Sequence, residues 1–283
     1  MNYDALQNAT PAMAKDAPFP YLVIDDALPA DVYQRLADSY PDGRKMEAER
    51  KNQNNARFNL ISRWGKTEFP YEEASEDWQK FVETNESESF VKKVYSLFPG
   101  FMNSSGTSDT IDLGKYGPDL AENLKLDADV TTADVIPRVT VAVNTPVLEQ
   151  SSVRGAHTDN MRKAYVGLMY FRKPEDDSTG GDLEIFKWKD GAARTEWAVK
   201  APLDQVDIVE TLKYKPNRLI LFLCTSDALH GVSPRSVTPH WRQLIVISGW
   251  FPGVNYEDTD TFETGFKSLV TRVRGKFRRL FGS

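Results

Sequence analysis

From residue 135 onward the chain is a series of short apolar runs separated by turns, and this pattern constrains the fold more than any other feature. The runs cover 139–143, 165–171, 183–188, 218–224 and 243–251. They are rich in Val, Ile, Leu and aromatic residues and are too short for typical helices, so they predict strands. The segments between them carry Asp-Asp-Ser-Thr-Gly-Gly at 176–181, Lys-Asp-Gly at 189–191 and Lys-Pro-Asn at 215–217. Gly, Pro, Asn and Asp at such positions bend the chain. Several short strands punctuated in this way predict a sandwich or an open jelly-roll barrel.

The first half has a different texture. Residues 19–24 are apolar and β-prone. A helix is expected over 32–40, with Asp31 as its cap and Pro41 beyond its end. Residues 43–59 are polar and Asn-rich and predict a loop. Over 77–98, Trp78, Phe81, Val82, Phe90, Val91, Val94, Leu97 and Phe98 recur at helical spacing, which predicts two helices broken near Asn85-Glu86-Ser87. The chain is therefore expected to form one mainly β domain with helical additions. Residues 18–134 would give an N-terminal strand and helical support, 135–253 the β core, and 261–283 a C-terminal helix.

That last helix rests on Phe262, Phe266, Leu269, Val273, Phe277 and Leu280, which fall on one stripe. Residues 264–283 hold six basic side chains and no acidic one, so residues 1–263 carry −12 against a net −6 for the whole chain. The helix is expected to pack on the core, with docking on an anionic membrane surface or an acidic partner as the alternative. The acidic balance argues against nucleic acid as a partner. No apolar run approaches the roughly 20 residues of a membrane helix. The first sixteen residues lack a basic start followed by an apolar core, so no signal peptide is expected. The single cysteine, Cys224, excludes an internal disulfide and lies in an apolar run. It suits a buried thiol in a reducing, cytoplasmic setting.

The β region also carries a metal motif. The chain has three histidines. His157 and Asp159 stand two positions apart, and on a strand such residues share a face. His230 arrives from a distant run, in Asp227-Ala-Leu-His230-Gly-Val-Ser-Pro. Two His and one carboxylate leave open coordination positions and form the usual ligand set of non-haem Fe(II) oxygenases. His240 is less suited as a ligand, because it is only two residues from Arg242 and would crowd that side chain against the metal.

The ordered set His157-Thr-Asp159-Asn160, Leu168-Met-Tyr170-Phe, Gly180-Gly181-Asp-Leu-Glu-Ile-Phe186, His230-Gly-Val-Ser-Pro234 and Arg242 resembles the prolyl-hydroxylase-like branch of the Fe(II)/2-oxoglutarate-dependent dioxygenases. The resemblance covers under half of the chain. It implies a double-stranded β-helix fold, one Fe(II) held by His157, Asp159 and His230, and 2-oxoglutarate and O2 as co-substrates. It also implies oxidative decarboxylation of 2-oxoglutarate to succinate and CO2, coupled to hydroxylation of a substrate. Asp159 fills the place where halogenating relatives have a small residue, which favours hydroxylation.

The far carboxylate of 2-oxoglutarate needs a cation in a cleft, and an arginine offers two charge-assisted hydrogen bonds. Arg242, twelve residues after His230, is the expected anchor. Arg235 is the rival, expected to face water from the turn at 234–239. Tyr170 is either a second partner of that carboxylate or a plain core tyrosine. Asn144 is a co-substrate contact or a turn residue. Gly180-Gly181 is expected to be a tight turn. For the substrate, a small molecule or a peptidyl residue, the candidates are Asn160, Arg162 and Arg154, with Asn54, Asn55 and Arg57 weaker. Two other classes stay open: a binding module that keeps the fold without catalysis, and a cupin-type metalloenzyme that does not use 2-oxoglutarate.

Overall fold

The computed structural model describes residues 1–42, 53–63, 67–99, 135–160, 163–196 and 198–250. The expected C-terminal helix, Arg162, and most of the loop begun at residue 43 lie outside these residues. Nine strands are described: β1 (Tyr21–Ile24), β2 (Arg57–Ile61), β3 (Ile136–Asn144), β4 (Lys163–Tyr170), β5 (Leu183–Trp188), β6 (Val206–Leu212), β7 (Leu219–Leu223), β8 (His230–Val232) and β9 (Arg242–Trp250). The main helices are α1 (Ala30–Asp38), α2 (Glu76–Asn85) and α3 (Glu88–Ser96).

The strands form two antiparallel sheets. The larger has the order β1-β7-β4-β9-β3-β2 and the smaller β6-β5-β8. Because strand side chains alternate, each strand of the large sheet serves two different cores. Val141, Val143, Met169, Leu219, Leu221, Ile245 and Ile247 face the helices and pack with Leu36, Trp78, Phe81, Phe90 and Val94. Ala142, Val166, Tyr170, Ile220, Phe222 and Leu244 face the small sheet and pack with Leu183, Ile185 and Leu212. At about 25 cal/mol per Å² of buried apolar surface, these two layers are the main stabilising term.

The helices start for identifiable reasons. The hydroxyls of Ser75 and Ser87 accept hydrogen bonds from the backbone N–H of Trp78 and Phe90, which caps α2 and α3. The break at residues 86–87 is thus the cap of the second helix. The expected cap of α1 is corrected: Pro29 occupies that position and Asp31 lies in the first turn, where its charge meets the positive end of the helix.

Three strands fall outside the predicted runs, the shortest being β8, His230–Val232, which pairs with β5. Arg57–Ile61 ends the supposed loop and pairs with β3, and Val206–Leu212 pairs with β5. Cys224 is buried, as expected. Among the described residues no helix is long and apolar enough to cross a membrane.

Candidate metal centre and anion cleft

The site is set by one short backbone bridge. His157 N–H donates to the His230 carbonyl at 2.9 Å, and His230 N–H donates to the His157 carbonyl at 2.9 Å. Residues that exchange both bonds are direct cross-strand partners, so their side chains stand side by side. The two imidazole centroids are 4.3 Å apart. His230 is also the register partner of Ile185 in the small sheet, and its ring lies 4.6 Å from that of Phe222 in the large one. Both histidines therefore point into the gap between the sheets. Asp159, two residues on, returns to the same side. Its Oδ2 lies 3.6 Å from His230 Nε2.

The donor atoms of His157, Asp159 and His230 all lie within 4.8 Å of one another. A metal about 2.1 Å from each donor would space neighbouring donors about 3 Å apart, so small side-chain adjustments suffice. The tautomers fit as well. His157 Nδ1 is 2.8 Å from the Gly155 carbonyl and His230 Nδ1 is 2.9 Å from that of Ala228. A carbonyl can only accept, so each Nδ1 carries the proton and each Nε2 keeps its lone pair for a metal.

The electrostatics agree. Burial, and then the neighbouring imidazole, pushes the pKa of His157 down, and burial does the same for His230. For Asp159 burial acts to raise the pKa, but His230, Lys163 and His157 outweigh it and hold the carboxyl below its usual range. Neutral imidazoles and an ionised carboxylate are the forms a divalent metal binds. Lys163 Nζ donates to Asp159 Oδ1 at 3.1 Å, and an Arg154 nitrogen lies 3.9 Å from the same oxygen.

Arg242 stands on the large sheet, 3% exposed. Its guanidinium carbon is 5.0 Å from the ring centroid of Tyr170 and 4.9 Å from that of Tyr214. Nη2 donates to the Gly181 carbonyl at 2.9 Å, and Nη1 to Asn144 Oδ1 at 3.4 Å. Arg242 Nε and the Tyr170 hydroxyl are buried without a hydrogen-bond partner. No carboxylate of the described residues pairs with Arg242. A buried guanidinium lacking a counter-ion and a buried hydroxyl lacking a partner, in one pocket, fit an external anion.

Arg235 is a correction. It was expected to face water, yet it is 1% exposed and paired with Asp176 at 2.8 Å. Gly180 and Gly181 both adopt positive φ, 74° and 70°, as a tight turn requires. Their close approach is to protein: a Cβ on Gly180 would lie 1.9 Å from the Pro234 carbonyl.

Asn54 and Asn55 are occupied with structure, since both donate to the loop at 149–151. Asn144 binds Arg242 and also reaches the Asn55 carbonyl at 3.5 Å. Asn160 is partly buried beside the ligands, Arg154 is open to solvent, and His240 lies outside the cluster. Tyr214 is the contact that sequence reasoning missed. It follows β6, itself unforeseen, and no local signal marks it.

No family model matches the sequence, and no curated protein matches it either. Solved structures do share features of the fold. A prolyl 4-hydroxylase from Phytophthora capsici is 13% identical, with 95% of this chain and 75% of that one covered and a TM-score of 0.45. A prolyl-4-hydroxylase from Pseudomonas putida is 16% identical, with 83% and 93% covered and a TM-score of 0.40. A prolyl hydroxylase from Trichoplax adhaerens, solved with a hypoxia inducible factor peptide fragment, is 14% identical, with 88% and 90% covered and a TM-score of 0.42. With TM-scores below 0.5, the weight falls on the geometry of the site itself.

Proposed function

We propose that this chain is an Fe(II)- and 2-oxoglutarate-dependent dioxygenase on a double-stranded β-helix, hydroxylating a C–H bond of its substrate. The observation that carries the reading is the shared gap. The His157–Asp159–His230 cluster enters it from the small-sheet side. Arg242 enters it from the large sheet, with no carboxylate of the described residues to pair with.

His157, Asp159 and His230 would hold the metal, and Arg242 with Tyr170 would hold the far carboxylate of 2-oxoglutarate. Bound iron supplies the activation of O2 that couples decarboxylation of 2-oxoglutarate to oxidation of the substrate. The chain's own residues bind, orient and exclude water. The Gly155 and Ala228 carbonyls fix the imidazoles through their Nδ1 protons. Lys163 steadies Asp159. Tyr170 and Tyr214 pack edge-on to each other and lie together against one side of the guanidinium, walling that side of the anion pocket from water. A metalloenzyme that does not use 2-oxoglutarate has no need of this second pocket, and a binding module has no need of the tautomer-fixed donors.

The test is succinate release by purified protein given Fe(II), 2-oxoglutarate and O2. Wild type should bind one Fe(II) per chain and release succinate. His157→Ala, Asp159→Ala and His230→Ala should each abolish release while the fold persists by circular dichroism. Full activity in all three variants would overturn the ligand assignment.

A further inference from the structure

The second row of polar residues in the cleft begins on an edge strand. Arg57 opens β2 and is the register partner of Asn144 in β3, and Asn144 is the register partner of Arg242 in β9. Cross-strand partners share a face, so Arg57 and Arg242 stand on the same inner face. With strands about 4.8 Å apart, their backbones are about 10 Å from each other.

Arg57 is open to solvent. Among the described residues it has no acidic partner, and its side chain makes no hydrogen bond there. Its charge is disfavoured by Arg242 and favoured by Asp159 across the cleft. It is still a cation at neutral pH, within electrostatic reach of both the anion pocket and the metal cluster.

The charge balance of the site is one-sided. Arg154 and Lys163 lie against one carboxylate, Asp159, Arg57 is within its electrostatic reach, and Arg242 stands on the same inner face as Arg57, in a chain whose net charge is −6. A bound metal adds positive charge and draws on Asp159. One dianionic co-substrate at Arg242 does not cancel the excess, and a cleft lined by one sign of charge concentrates the opposite sign. Lys163 and Arg154 already lean on Asp159 and Arg242 on Gly181 and Asn144, so of these four cations Arg57 is the one without a partner among the described residues. In the row below Arg57 stand Asn59, Ala142 and Leu244, and in the next row Thr140 beside half-buried Val246 and Leu168. These offer a polar edge and an apolar bed for the body of a ligand.

We infer that Arg57 binds a carboxylate carried by the substrate, so that the substrate of this site is an acid. The inference rests on the dioxygenase reading for the place of the reacting carbon. The planar fork of arginine matches a carboxylate with two parallel hydrogen bonds. Free acids and acidic peptide residues share that chemistry.

The test is calorimetric titration of the full chain, first metal-free and then with Mn(II) and 2-oxoglutarate present. The probes are free amino acids, N-acetyl amino acids and short acidic peptides, each beside its carboxamide. At least one acid should bind where its amide does not, and the arm that binds says whether the carboxylate belongs to a metabolite or a peptide. Arg57→Gln should weaken that acid at least about tenfold, and Arg57→Lys should recover part of the loss, with affinity for 2-oxoglutarate kept in both. The inference is overturned if no acid is preferred over its amide, or if the preference survives in Arg57→Gln. It is also overturned if Arg57→Gln loses 2-oxoglutarate affinity as an Arg242 variant does. Acid binding that depends on Arg57, without any succinate release under Fe(II) and O2, would leave the anion site standing and bring down the dioxygenase reading alone.

Discussion

Asp176 and Arg235 form an ion pair sealed from water: Arg235 Nη2 donates to Asp176 Oδ2 at 2.8 Å, and both side chains are 1% exposed. Ser178 completes it, its hydroxyl donating to Asp176 Oδ1 at 2.6 Å and accepting from Arg235 Nε at 2.9 Å. Removing one member of a buried pair strands the other charge, at about 3–5 kcal/mol. Asp176→Ala should therefore lose stability of that order in urea unfolding. A loss below about 1 kcal/mol would show that the pair is not a structural element.

The two arginines near Gly181 should separate by phenotype. A Cβ built on Gly181 would lie 3.5 Å from Arg242 Nε and 3.4 Å from Arg235 Cδ, so the two side chains meet at one glycine. Arg242→Ala should raise the concentration of 2-oxoglutarate needed, by the equivalent of about 2–5 kcal/mol, with iron affinity nearly unchanged. Arg235→Ala should instead lower the unfolding midpoint, because its partner is Asp176. Steady-state kinetics and denaturation run on both variants check this. A co-substrate defect confined to Arg235→Ala would exchange the two roles.

Gly231 separates the metal-bearing segments. A Cβ there would come within 2.9 Å of the Gly155 carbonyl carbon and 3.1 Å of the Ala156 nitrogen. Both atoms are backbone and cannot rotate away, so the bridge between His157 and His230 must widen. Gly231→Ala should weaken Co(II) or Fe(II) binding by about tenfold or more, through misplacement of donors by a few tenths of an ångström. Unchanged metal affinity would show that the bridge does not set the donor spacing.

The five apolar runs were legible because their pattern is local: alternation or continuous burial between turn residues. All five are strands, with ends shifted by a few residues. β6 was not legible, because Asp207, Ile208, Val209 and Thr211 are exposed and its residues read as a polar mixture. The role of Arg235 was hidden for another reason. Its partner Asp176 is 59 residues away, and nothing in the turn around Arg235 signals burial. The metal cluster could be read because His157 and Asp159 announce themselves by spacing and histidines are scarce. Tyr170 could be named from its strand, but Tyr214 could not, since it lies just past β6 and meets Tyr170 only when the two sheets pack.

His230 belongs to the small sheet and Arg242 to the large one, so on the proposed function the sandwich itself is a gauge. Facing sheets lie about 10 Å apart, and that separation is maintained by Ile185, Leu183, Leu244 and Phe222 in the layer between them. A diacid gripped at one end by metal and at the other by guanidinium is measured against this layer. Its permitted number of carbons is then a property of core thickness. A variant tuned to a longer diacid would have to swell its hydrophobic interior, and tolerance of the binding side chains to substitution would not help it.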